Sequence, residues 1–190
     1  MIRLILASNS PRRRELLRNA GFDFDVRPSG IEENRLPGEP AEDFARRLAR
    51  DKALDVARRS DTGSFVLGAD TVVAVNGEIL EKPLDAADAA RMLRALSGRT
   101  HRVITGVCLV RAPEAILAWT HETTSVTFSK LTEDEIGNYV ASGEPFDKAG
   151  GYAIQGLASR FIPRIEGCYF NVVGLPIPLV HEMVKNLPGK

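Results

Sequence analysis

The chain has 190 residues, with 25 basic and 25 acidic side chains, no formal net charge and 44% hydrophobic residues. That length suits one domain or two closely joined lobes, and it lets folding bury about 70% of the unfolded surface without disulfides or metal staples. Balanced charge argues against a surface given over to nucleic acid or anionic lipid, and favours basic side chains gathered in one pocket around a small partner.

In chain order, the apolar run Ile2 to Ala7 predicts a first strand, broken by Ser8-Asn9-Ser10 before Pro11-Arg12-Arg13-Arg14. Ser10 is a good N-cap and Pro11 a good first helical residue, so a helix is expected over 11–20 with free backbone N–H groups at its start. Three arginines there oppose the helix dipole unless an anion such as phosphate offsets them; the other reading lets their long side chains swing into solvent. Phe22 to Val26 alternates like a second strand, and 30–37 reads as a loop carrying Glu32 and Glu33, of which only one is expected to point into any site.

A long helix is predicted from Pro40 to about Arg59. At helical spacing Ala41, Phe44, Ala45, Leu48, Ala49 and Val56 form one apolar stripe with Lys52 near its centre. Lys52 must then snorkel, pair with a buried carboxylate or line a cleft holding an anion. The stripe is expected to tolerate Lys52→Ala with little loss of stability. Arg46, Arg47, Arg50 and Arg58 read as a solvated face, and Leu54 falls off the pattern.

Phe65 to Leu67 reads as a strand, Gly68 to Thr71 as a loop, and Val72–Val75 with Glu78–Leu80 as a hairpin closed by Asn76-Gly77. Asp70 therefore sits at an expected strand end, where it either makes a turn hydrogen bond or serves as a working carboxylate. The hairpin is expected to bring Lys82 near it, and hard carboxylate oxygens such as those of Asp70 and the Glu32-Glu33 loop suit Mg²⁺ or Mn²⁺. A helix over 85–96 ending at Ser97-Gly98, long strands over 101–110 and 115–128, and a helix opened by the Thr132/Glu135 capping box follow. Residues 143–156 are turn-rich; their glycines either let a backbone approach a ligand or merely build a turn, and Gln155 has the donor and acceptor to read a base edge. Short strands and a last helix over 176–186 complete an α/β or α+β domain around a mixed sheet.

No apolar run nears the roughly 20 residues of a membrane span, and no charged leader precedes the first strand, so a cytoplasmic protein is expected. Cys108 and Cys168 read as free thiols, and His101, His121 and His181 as surface or capped residues without metal-ligand spacing.

Five segments in order, Leu6 to Arg13 with Glu15-Leu16-Leu17, Leu67 to Val73, Glu81-Lys82-Pro83, Leu96 to His101 with Thr105-Gly106-Val107, and Asp147 to Gly156, make the whole chain resemble the Maf family of nucleoside triphosphate pyrophosphatases. Arg12, Ala69-Asp70-Thr71 and Ile154-Gln155-Gly156 are similar to the branch acting on dTTP and UTP, ordinary or modified. The resemblance implies one Maf-like domain over 1–190. Its expected fold is an elongated mixed α/β sheet flanked by helices, with two lobes and a deep central cleft, and the family is often homodimeric.

It further implies hydrolysis between the α- and β-phosphates. Ser8, Arg12, Arg13, Lys52 and Lys82 would hold phosphate oxygens, Glu33 and Asp70 a divalent cation, Asp70 would act as base toward water, and Thr71 and Gln155 would help choose the nucleobase. Two readings from other classes stay open on the residues alone: a nucleic-acid-binding regulator of septum formation, and a nucleotide-sensing module without turnover.

Overall fold

The computed structural model describes residues 4–187. The first apolar run becomes β1 (Leu4–Leu6), and the loop after it leads into α1 (Pro11–Asn19), with Ser10 as N-cap accepting the Arg13 N–H and Pro11 at its start. Ile2 and Arg3, which the expected first strand included, lie outside the described residues. β2 (Phe24–Val26) and the start of β3 (Phe65–Val75) pair in parallel with the two edges of β1. The long helix is α2 (Ala41–Arg58), with Glu42 and Asp43 in its first turn and Arg58 in its last, each matching the helix dipole.

The hairpin forms as expected: β4 (Glu78–Leu80) pairs antiparallel with the end of β3, Val75 opposite Glu78. Asn76 and Gly77 both have positive φ, 50° and 82°, the geometry that a two-residue turn matched to strand twist demands. Next come α3 (Ala86–Leu96), β5 (Thr100–Arg111), β6 (Ala115–Thr127) and α4 (Glu133–Ala141), whose Thr132/Glu135 capping box closes in both directions. Residues 144–161 run through three short 3-10 turns. β7 (Arg164–Glu166), α5 (Tyr169–Val173) and α6 (Ile177–Lys185) finish the chain. One strand and a short helix thus replace the several short strands expected there.

The seven strands make a mixed sheet in the order β2-β1-β3-β5-β6-β7, with β4 on β3. The described residues divide into two compact units, 4–71, 105–122 and 174–187 in the first and 72–104 and 123–173 in the second. In the first, β1, β3 and β5 pack on α2 through Ile5, Val66, Cys108 and the small residues Ala49, Ala53 and Ala57; Leu54, off the stripe, and Trp119 pack partly buried against this core. In the second, Met92, Leu93, Phe128, Ile136 and Tyr139 form a separate core. No helix among the described residues is long and apolar enough to cross a membrane.

Three sequence-based expectations are corrected. Residues 68–71 are not a loop: β3 runs unbroken for 11 residues, because each of its positions from Val66 to Ala74 except Thr71 is buried, and a buried backbone needs ladder partners. The arginines of α2 are not simply a solvated face. Arg46 and Arg50 lie 4.5 and 4.9 Å from the centre of the Trp119 ring, whose Nε1 donates to the Arg46 carbonyl, and Arg47 is bound to Glu39. Finally, His101 is buried at 2% exposure, its Nε2 2.7 Å from Tyr152 Oη and its ring edge-on to Phe128 and Tyr152.

Candidate active site

The site in the first unit begins with glycine. A Cβ at Gly68 would stand 2.1 Å from the Ala49 carbonyl oxygen, and one at Gly106 would stand 2.1 Å from the Ala45 carbonyl oxygen. Both strands therefore touch the backbone of α2 directly, an approach that any side chain would prevent. Strand residues two apart share a face, so Asp70 points toward α2 as Gly68 does. Lys52 lies on the same face of the helix as Ala49 and Ala53, the residues against Gly68.

The outcome is a short ion pair: Lys52 Nζ is 2.5 Å from Asp70 Oδ1, and both side chains are almost wholly buried. The ammonium also reaches Glu33 Oε1 at 2.6 Å, while Glu32 accepts from Asn34 Nδ2, so one of the adjacent loop acids faces inward and the other does not. Of the alternatives open for Lys52, pairing with a buried carboxylate is the one realised. Paired burial meets the condition under which an interior charge is tolerated.

Arg13 is the second buried cation, at 8% exposure. Its Nε donates to the Gly174 carbonyl at 2.8 Å, Nη1 to Ser8 Oγ at 3.1 Å and Nη2 to Thr71 Oγ1 at 3.0 Å. Thr71 Oγ1 also lies 2.9 Å from Thr105 Oγ1. The guanidinium is thus locked by acceptors from the β1–α1 loop, β3 and the segment before α6, and three of its five N–H groups are engaged. Burial pulls the Arg13 pKa down, opposed first by Asp70 and then by Glu33. Burial pushes Asp70 above the usual carboxylate range, against the pull of Lys52 and then Arg13. A carboxylate paired with one cation, drawn down electrostatically by a second and yet raised by desolvation is suited to exchanging a proton.

Of the residues singled out in the sequence, Glu33, Lys52 and Asp70 form one set of contacts and Ser8, Arg13 and Thr71 another, and the two are coupled through the electrostatic pull between Arg13 and Asp70. Arg12, half-buried in the first turn of α1, acts electrostatically on Arg13. Lys82 and Gln155 are exposed residues of the second unit, the first just after β4 and the second in the turn 154–156. The hairpin sets Leu80 opposite Val73, three positions along β3 from Asp70. Thr105 and the Gly174 carbonyl were not anticipated. A hydroxyl beside a glycine in the otherwise apolar run 103–110 was the available signal for the former; a main-chain carbonyl leaves none.

A mixed α/β protein with a buried carboxylate paired to an ammonium and acted on electrostatically by a buried guanidinium has the equipment of a class that binds polyanions and moves protons. A family model described as Maf-like protein matches residues 3–187, and the chain belongs to that family. It is 53% identical over 182 residues to the dTTP/UTP pyrophosphatase of Koribacter versatilis, covering 96% of this chain and 93% of that one. It is 51% identical to the protein of the same name from Geobacter sulfurreducens, over 97% of this chain and 96% of that one. A HAM1 protein from Coxiella burnetii is similar in backbone at TM-score 0.48 and 19% identity, over 82% of this chain and 89% of that chain.

Proposed function

We propose that this chain is a nucleoside triphosphate pyrophosphatase that hydrolyses dTTP and UTP between the α- and β-phosphates, releasing the monophosphate and pyrophosphate. The observation that carries the reading is the buried Asp70, paired with Lys52 and faced by Arg13. A dedicated structural ion pair needs one cation. Two buried cations around one buried carboxylate, with a second carboxylate on the same ammonium, fit a site that receives further negative charge.

Lys52 and Arg13, with Arg12 and Ser8, bind phosphate oxygens, and Arg13 retains two N–H groups beyond its three protein contacts for that purpose. Lys82 adds a cation and Gln155 reads the base edge. Thr71, whose hydroxyl holds Arg13, acts on selectivity through the guanidinium. Asp70 accepts the proton of the water that attacks the α-phosphorus; its upward displacement makes it a better base than an ordinary solvated carboxylate.

Two carboxylates already converge on one cation, the Lys52 ammonium, and both are hard oxygen donors. The donor set fits a divalent ion such as Mg²⁺ or Mn²⁺ held by Glu33 and Asp70. Among the described residues no three His, Cys, Asp or Glu side chains gather, so water and phosphate oxygens would complete its shell, the arrangement Mg²⁺ favours. When bound, the ion supplies neutralisation of the charge developing on the leaving pyrophosphate.

The test is pyrophosphate release from dTTP and UTP with Mg²⁺ or Mn²⁺ for the wild-type chain and Asp70→Asn. The variant is expected to fold, to keep nucleotide binding and to lose about 100-fold or more in turnover, the scale of a missing general base. Saturable nucleotide binding by the wild type without pyrophosphate release would mean a sensing module instead.

A further inference from the structure

Gln155 occupies the third position of a tight turn closed by the Gly156 N–H donating to the Ala153 carbonyl at 3.1 Å, and its side chain is exposed. An exposed amide at the tip of a turn gains little discrimination between base edges unless the turn itself is immobile.

Two side chains of the same compact unit grip that turn from below. Tyr139, wholly buried on α4, accepts the Ala153 N–H at 3.1 Å and donates its own O–H to Glu144 Oε1 at 2.7 Å. Glu144 spends its other oxygen on the far side, where Oε2 accepts the Leu157 N–H at 3.0 Å. The Tyr139 ring is itself wedged edge-on against Phe161, centroids 5.8 Å apart. Gly156 completes the arrangement, since a Cβ there would lie 2.2 Å from Glu144 Oε2. The residue after Gln155 must therefore lack a side chain for the carboxylate to reach in. The chain thus commits a buried phenol, a carboxylate and a glycine to five residues, 153–157, of which Gln155 and Leu157 are exposed.

We propose that Tyr139 and Glu144 are positioning residues for substrate selection: a hydrogen-bonded clamp that fixes the 153–157 turn so that the Gln155 amide meets the nucleobase in one orientation. This rests on the proposed role of Gln155 at the base. The clamp touches neither substrate nor the reacting atoms, and its effect is to lower the ordering cost that Gln155 would otherwise meet on binding.

The experiment measures kcat and KM for dTTP, UTP, CTP and dATP in the wild type, Tyr139→Phe, Glu144→Gln, Glu144→Ala, Gln155→Ala and the Tyr139→Phe/Gln155→Ala pair. Hydrogen exchange at the Ala153 and Leu157 amides is followed in each folded variant. Tyr139→Phe keeps the ring and its packing and removes only the hydroxyl. It is expected to speed exchange at Ala153 and to lower the ratio of kcat/KM for dTTP over dATP about fivefold, mainly through KM. Glu144→Ala is expected to speed exchange at Leu157 and lower the same ratio, and Glu144→Gln, which retains an acceptor, to recover part of the loss. In the Gln155→Ala background Tyr139→Phe should change selectivity no further, since its effect runs through Gln155. If Gln155→Ala alters selectivity while folded Tyr139→Phe and Glu144→Ala do not, the clamp is refuted and Gln155 stands. If Gln155→Ala itself leaves selectivity untouched, the role of Gln155 is what fails, and the clamp falls with it.

Discussion

Replacing Lys52 by methionine tests the central arrangement directly, because methionine keeps an unbranched apolar stem on the stripe of α2 and removes the ammonium with its N–H donors. The structure reverses the expectation that this position tolerates loss of its ammonium. Asp70 would be left almost fully buried without its 2.5 Å partner. Removing one member of a buried pair costs about 3–5 kcal/mol, whereas the contact with half-exposed Glu33 contributes no more than about 1 kcal/mol. Asp70 limits the loss by taking up a proton, and Arg13 still offsets part of its charge. A destabilisation of about 2–3 kcal/mol near neutral pH is therefore expected.

The sign of the pH dependence follows from linkage. Without Lys52 the folded-state pKa of Asp70 rises further above its unfolded value, so between the two the native state holds more protons. Stability of Lys52→Met should then fall as pH rises through that window and be regained as pH drops below it. Urea unfolding of the wild type, Lys52→Met, Asp70→Asn and the double variant, each across a pH series, measures both effects. Asp70→Asn should recover much of the stability lost in Lys52→Met. A Lys52→Met protein within about 0.5 kcal/mol of the wild type, with the same pH profile, would show that the pair does not exist in solution.

Gly68→Ala must push α2 from β3, since its Cβ would meet the Ala49 carbonyl oxygen at 2.1 Å; a loss of at least about 2 kcal/mol by urea unfolding is expected. Gly30→Ala, with nothing within 4 Å of its Cβ, should stay within about 0.5 kcal/mol and serves as the control. His101, whose pKa burial lowers to about 4, binds its proton less readily in the native state than in the unfolded chain. The wild type should therefore lose up to about 3 kcal/mol as pH falls from 6.5 toward 4, and His101→Phe should flatten that part of the curve; identical acid profiles would place the sensitive group elsewhere.

Local chemistry made much of this protein legible before any coordinates. The Ser10 cap with Pro11, the stripe of α2, the Asn76-Gly77 hairpin and the Thr132/Glu135 box each depend on neighbours within a turn or two, and each formed where its residues stand. The ordered motifs singled out Ser8, Arg13, Glu33, Lys52, Asp70 and Thr71, and the fold brings Glu33 and Asp70 to Lys52 and brings Ser8 and Thr71 to Arg13. What failed needed knowledge of the third dimension. Gly68 looked like the start of a loop, yet it is a gap in a continuous strand through which a helix backbone approaches, and no local pattern separates those uses of a glycine. His101 looked like a surface residue because its burial comes from Phe128 and Tyr152, distant in sequence. Residue types dictated which charges and turns the chain could build; long-range packing alone decided that Lys52 would meet Asp70, that Arg13 would be locked by Thr71 and Gly174, and that two side chains would close on the turn bearing Gln155.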